Sequence, residues 1–204
     1  MRLLVPKKPL RRMSKWVRRA LLACAALLLG YCGLVLVDTW MFQRRESRAI
    51  ERVLQNRSTA SDGAAQSVRP APAQGDPVGR IEIPRLLLSA VVVEGIDDAS
   101  LRRAVGHIPG TALPGHPGNV GLAGHRDTFF RPLKNLRIKD GLQFSTRSGT
   151  FQYEVESLRV VEPDAVGVLA SAGENVLTLV TCYPFYYIGA APKRFIVRAR
   201  QVSP

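Results

Sequence analysis

Apolar residues are distributed along this chain in two contrasting ways. From Ala20 to Val37 the sequence reads ALLACAALLLGYCGLVLV, eighteen consecutive positions without a charge, a proline or an asparagine. At about 1.5 Å rise per residue a helix of that length covers roughly 27 Å, close to the ~30 Å hydrocarbon core of a bilayer. From Val78 onward the apolar residues instead come in short runs broken by Gly and Pro. Arg80–Ile83 with Leu86–Ile96, Asn119–Gly124, Gly141–Thr146, Thr150–Glu162, Asn175–Thr181 and Arg194–Val202 are rich in Val, Ile, Leu, Phe and Tyr, and turn residues separate them, so each is predicted as a strand. Asp97–Val105 and Asp164–Ala170 are predicted as short helices, each opened by an Asp at its N-cap. Many short strands with few helices make this part mostly β, a closed barrel or a sandwich.

Between these two regions the pattern fades. Met41–Arg57 is charged, with Ile50, Val53 and Leu54 at helical spacing, and is expected to form a short juxtamembrane helix. Ser58–Pro77 (STASDGAAQSVRPAPAQGDP) almost lacks large apolar side chains and is expected to be a flexible tether, because it has nothing with which to bury a core. The expected organisation is therefore a basic segment over 1–19, an anchor over 20–40, a juxtamembrane segment and linker over 41–77, and a folded domain over 78–204.

Charge sharpens the first region and removes one function class. The chain of 204 residues has a formal net charge of +13, which would suit nucleic-acid binding. However, residues 1–19 alone hold eight Lys/Arg and no acid, whereas Arg80 to the end holds fifteen Lys/Arg against eleven Asp/Glu, a balance of only +4. The basicity lies largely outside the folded part, and no nucleic-acid partner is expected. Basic residues before the apolar run outweigh Arg44, Arg45, Arg48 and Arg52 after it, which Asp38, Glu46 and Glu51 dilute. The positive-inside rule then places the N-terminus in the cytoplasm and the bulk of the chain outside. Trp16 and Trp40 flank the run, where indole rings favour the two interfaces. No small-x-small cleavage site follows it, the run ending VLVDTW, so an uncleaved anchor is expected rather than a removed signal.

The external domain contains one cysteine, Cys182. A lone thiol outside the cytoplasm has no internal disulfide partner. Cys182 ends the apolar run Val176–Thr181, where an aromatic, Pro-containing loop begins, and strand ends carry reactive groups into clefts on a rigid support. A thiol nucleophile needs a base nearby. His125 ends another apolar run, Asn119–Gly124, just as Cys182 does; His107 (in GHIPG) and His116 (in LPGHPG) sit in turn-like sequence and are expected to be solvated. Arg194 opens the last predicted strand, twelve residues after Cys182, and is a candidate to stabilise negative charge on a carbonyl oxygen. Arg198 and Arg200 are expected to lie on the solvated outer face of that strand.

His125 within AGHRDTFF, Cys182 within TLVTCYPF and Arg194 after the following loop resemble the sortases, membrane-anchored bacterial cysteine transpeptidases. The resemblance covers roughly Val78 to Val202, extends to the anchor and linker, and through TFF and YPF is most similar to class D and related subgroups. It implies a closed eight-stranded β-barrel. It also implies that Cys182 attacks the Thr carbonyl of an LPxTG-like sorting signal to give a thioester, that His125 passes the proton to and from the amines, and that Arg194 holds the substrate oxyanion. The implied partners are a sorting-signal protein, an amine acceptor (a cell-wall precursor or a protein) and the lipid bilayer. No cofactor is implied; some members respond to calcium, but no run of carboxylates here resembles such a site.

Three competing readings remain open on the residues alone. The first is a thiol peptidase that only hydrolyses; the second is a metal-dependent hydrolase using His107, His116 and His125 with Cys182, disfavoured by the nine-residue spacing of the histidines. The third is a non-enzymatic barrel that binds a partner, with Cys182 an incidental core thiol.

Overall fold

The structure, a computed structural model, describes residues 8–59, 72–170, 173–187 and 189–203. The chain divides into two compact units, Met1–Met41 and Phe42–Pro204. The first is helical, part of the helix α1, Lys8–Thr59. Its stretch Lys15–Arg44 is long and apolar enough to cross a membrane, and Trp16, Leu21, Leu22, Leu27, Leu29 and Leu34 on it are exposed. The juxtamembrane segment is not a separate short helix but the continuation of α1, as its Ile50/Val53/Leu54 spacing permits. Of the expected tether, Ser58 and Thr59 are the last residues of α1 and Pro77 opens the first strand, while 60–71 lie outside the described residues.

The second unit is a barrel of eight strands. They are β1 (Pro77–Ile83), β2 (Leu88–Glu94), β3 (Val105–His107), β4 (Asn119–Ala123), β5 (Gly141–Ser145), β6 (Thr150–Val161), β7 (Val176–Tyr183) and β8 (Lys193–Ser203), closed in the order β1-β2-β3-β4-β7-β8-β6-β5. Closure leaves no free sheet edge. Every second residue of these strands points into the barrel: Ile81 and Ile83 of β1, Val120 and Leu122 of β4, and Leu177 and Leu179 of β7 all enter one core, with Phe130, Leu133, Phe144 and Val197. In β2 both faces are covered, since Leu88, Ala90 and Val92 join that core while Val91 and Val93 pack with Ala104 outside it.

The segments Arg80–Ile83 and Leu86–Ile96 become β1 and β2, paired antiparallel, with Pro84–Leu86 between them as a 3-10 turn closed by Leu87 in a left-handed conformation (φ 52°). Three sequence expectations are corrected. The helix after β2, α2, spans only Asp98–Arg103; Asp97 is its N-cap, accepting from the Ala99 and Ser100 amides. Val105 belongs instead to β3, a three-residue strand too short to show a period, which pairs parallel to β2 through the α2 crossover. The helix predicted over Asp164–Ala170 is a single 3-10 turn, Val166–Leu169, with no side-chain cap.

The third correction is His107, which is not solvated. It is only 2% exposed, on β3, with Nδ1 2.6 Å from Glu94 Oε2 and Nε2 3.0 Å from the Ala112 carbonyl oxygen. The glycine- and proline-rich sequence around it does turn, but the turn folds back over the ring. Ile108 N–H donates to the Gly121 carbonyl, and Gly121 N–H donates to Thr111 Oγ1. His116, by contrast, is exposed.

Candidate active site

The site is built on β7, which has different neighbours on its two sides. On one side β8 runs antiparallel, and its register sets Cys182 opposite Arg194, one pair before the hairpin's last, Tyr183–Lys193. On the other side β4 runs parallel, with Ala123 opposite Val180. The Gly124 amide continues that ladder by donating to the Val180 carbonyl at 3.2 Å, and Thr181 Oγ1 donates to the Gly124 carbonyl at 2.7 Å. Carrying the register two residues past Ala123 brings His125 alongside Cys182. Cys182 and Arg194 are thus register partners on adjacent strands, and His125 lies two residues beyond the end of β4, on the other side of β7, although 57 positions of chain separate it from Cys182.

Local packing fixes each of them. Immediately after His125 the chain turns back, and the His125 carbonyl accepts from the Thr128 and Phe130 amides at 3.4 and 3.1 Å. The Phe130 ring is fully buried and lies against Gly124, where a Cβ would stand 2.7 Å from it. Glycine before the histidine is therefore a packing requirement. Cys182 is free and half-buried. The loop that follows starts with a cis Tyr183–Pro184 bond, and Phe185 and Phe195 stack edge-on at 5.3 Å between centroids, with Tyr183 6.1 Å from Phe185. Arg194 is half-buried, and its Nη1 donates to the Ala191 and Lys193 carbonyls at 3.2 and 3.0 Å. Arg198, further along β8, pairs outside with Glu156 at 2.6 Å, as expected of the outer face.

Below the thiol, on the outer face of β4 and β7, Thr178 Oγ1 donates to Asn119 Oδ1 at 2.8 Å, and Asn119 Nδ2 donates to the Val168 and Ala170 carbonyls. This buried pair pins the β6–β7 connection beside the same two strands. A residue the sequence reading passed over is Arg126. Its Nη2 donates to the Tyr187 and Gly189 carbonyls in the β7–β8 loop. Its place directly after His125 was the one available signal.

Among the described residues, no three of His, Cys, Asp and Glu gather closely enough to hold a metal ion. Both ring nitrogens of His107 are already engaged, so it is not available to the ligand set of the metal-hydrolase reading.

A closed eight-stranded barrel carrying a free, half-buried thiol near the end of β7 has the framework of a thiol enzyme. A family model described as the Sortase domain matches residues 81–202. Sortase D of Bacillus subtilis (strain 168) is 32% identical over 198 residues, which cover 94% of this chain and all of that one. The structure of a Clostridium perfringens Sortase D5 transpeptidase superposes with a TM-score of 0.63 at 25% identity, covering 79% of this chain and 96% of the other. That of sortase C-1 from Actinomyces oris gives 0.58 at 27% identity, covering 76% and 99%. This chain belongs to the sortase family: it is a cysteine transpeptidase acting on peptide bonds.

Proposed function

We propose that the chain is a membrane-anchored sortase that cleaves an LPxTG-like sorting signal with Cys182, His125 and Arg194. The Cys182 thiolate attacks the carbonyl carbon of the signal's Thr, forming the C–S bond. The tetrahedral oxyanion is held by the Arg194 guanidinium, which is worth most where water is excluded. Collapse breaks the Thr–Gly C–N bond, and His125 gives its proton to the departing Gly amine, leaving a thioester. An incoming amine surrenders a proton to His125, attacks the thioester and releases the thiolate as the new amide forms. The acceptor is a cell-wall precursor or a protein amine. Residues 20–40 cross the cytoplasmic membrane with 1–19 inside, 41–77 act as spacer, and 78–204 catalyse outside.

The observation that carries this reading is the register of β7 against its two neighbours, with Arg194 opposite Cys182 and Ala123 opposite Val180. The test uses the full-length chain in detergent with a fluorogenic LPxTG peptide and a glycine-type amine. Wild type is expected to give the amide product by mass spectrometry and Cys182→Ala none. Undiminished turnover by that variant rejects the proposal, and release of free acid alone in the presence of amine makes the enzyme a hydrolase.

A further inference from the structure

Two guanidiniums donate to backbone carbonyls of the β7–β8 connection. Arg126 Nη2 donates to the carbonyls of Tyr187 (2.6 Å) and Gly189 (3.0 Å), and its Cζ lies 6.0 Å from the Tyr187 ring centroid. Arg194 Nη1 donates to the carbonyls of Ala191 (3.2 Å) and Lys193 (3.0 Å). Residues 187, 189 and 191 of the loop and Lys193, the first residue of β8, thus offer alternate carbonyls, the first two to Arg126 and the last two to Arg194. Arg126 is also the residue next to His125, in the turn whose Phe130 and Thr128 amides cap the His125 carbonyl. One further feature distinguishes it: Arg126 Nη1 is buried with no hydrogen-bond partner among the described residues. Leaving a buried N–H unpaired is unfavourable, so the placement of this guanidinium is not explained by stability alone.

The β7 and β8 ladder ends at Tyr183–Lys193, so the loop between has no strand neighbour to fix it. Arg194 Nη1 is held by one carbonyl of that loop, Ala191, and by one of β8, Lys193, so its placement depends in part on the loop. We propose that Arg126 is a positioning residue: by gripping Tyr187 and Gly189 it sets the place of the Arg194 guanidinium relative to the turn that carries His125. Both carbonyls are served by the one nitrogen Nη2, whose direction the planar guanidinium fixes, whereas a lysine ammonium is a compact donor on a flexible stem. This inference rests on the assignment of Cys182, His125 and Arg194 above.

The experiment compares Arg126→Ala and Arg126→Lys with wild type, in the full-length detergent-solubilised chain, by steady-state kinetics on the LPxTG peptide and by amide hydrogen exchange of the β7–β8 loop. Misplacing a catalytic group by about 1 Å can cost on the order of 100-fold in rate. The expected result is a roughly 10- to 100-fold fall in kcat for both variants with KM changed less than about threefold, and faster exchange at residues 189–193. In an Arg194→Ala background, Arg126→Ala should lower kcat less than about twofold further, because the two act through one path. Unchanged loop exchange, unchanged kcat, or losses that multiply in the double variant overturn the proposal. Failure of the catalytic assignment looks different: an active Cys182→Ala or Arg194→Ala enzyme, whatever the loop exchange shows.

Discussion

Cys182 and Arg194 are register partners across the β7–β8 ladder, the thiol and the guanidinium arriving at the same level from strands that run in opposite directions. That relationship places a cation two strands' width from β4, whose extension carries His125. It makes the chemistry at this end of the barrel depend on backbone register more than on any loop conformation, except where Arg194 leans on Ala191 and Lys193.

The first prediction concerns Arg194. Replacing it by Ala should lower kcat about 100-fold or more, the range seen when a donor to an oxyanion is removed. Arg194→Lys should recover only part of this, since a lysine keeps the charge and loses the fork. Initial rates with the LPxTG peptide check it, and a fully active lysine variant would show that charge alone suffices.

Gly124→Ala should both destabilise the barrel and slow catalysis. The new Cβ would meet the buried Phe130 ring at 2.7 Å, and Phe130 is tied by its own amide to the His125 carbonyl. Overpacking of this kind costs about 1–3 kcal/mol, and the turn that must yield is the one holding His125. Urea denaturation alongside kinetics measures the two effects; loss of activity without loss of stability is the outcome this packing does not allow.

The buried pair of Glu94 and His107 should matter to stability and not to chemistry. Glu94→Ala strips His107 Nδ1 of its partner inside the protein, which costs about 1–3 kcal/mol for an unsatisfied polar group. Glu94→Gln, which keeps a polar partner, should cost less. Guanidinium unfolding curves of the three proteins give the order directly.

Acid sensitivity should trace in part to Asp140. Hydrogen bonds from the Arg85 side chain hold its carboxyl below the usual carboxylate range, with the Arg137 amide adding to the effect. A carboxyl whose folded pKa lies below its unfolded value of about 3.9 contributes stability that is present above that pH and is lost as the pH falls through the folded value. Wild type should therefore be more stable than Asp140→Asn near neutrality, and the gap should close below about pH 4. Denaturation midpoints from pH 6 down to pH 2.5 read this out, and a gap independent of pH would refute it.

Much of this protein was legible from local pattern. An uninterrupted apolar run shows a span long enough for a bilayer, and short runs of β-forming residues between turn residues found strands such as those read over Asn119–Gly124 and Asn175–Thr181. Residue type and a place at the end of an apolar run singled out Cys182, His125 and Arg194 as candidates. Tertiary structure decided what those patterns could not carry. Whether β4 lies beside β7, and in which register, depends on closing a barrel across strands far apart in sequence, and a shift of one residue would turn Cys182 to the other face. The same long-range packing buried His107 under its own turn, made a strand of Val105–His107, reduced the segment after Asp164 to one 3-10 turn, and brought Arg126 to the loop of Arg194. A sequence states which way each side chain points along its own strand, but only closure of the sheet settles which strand stands next to it.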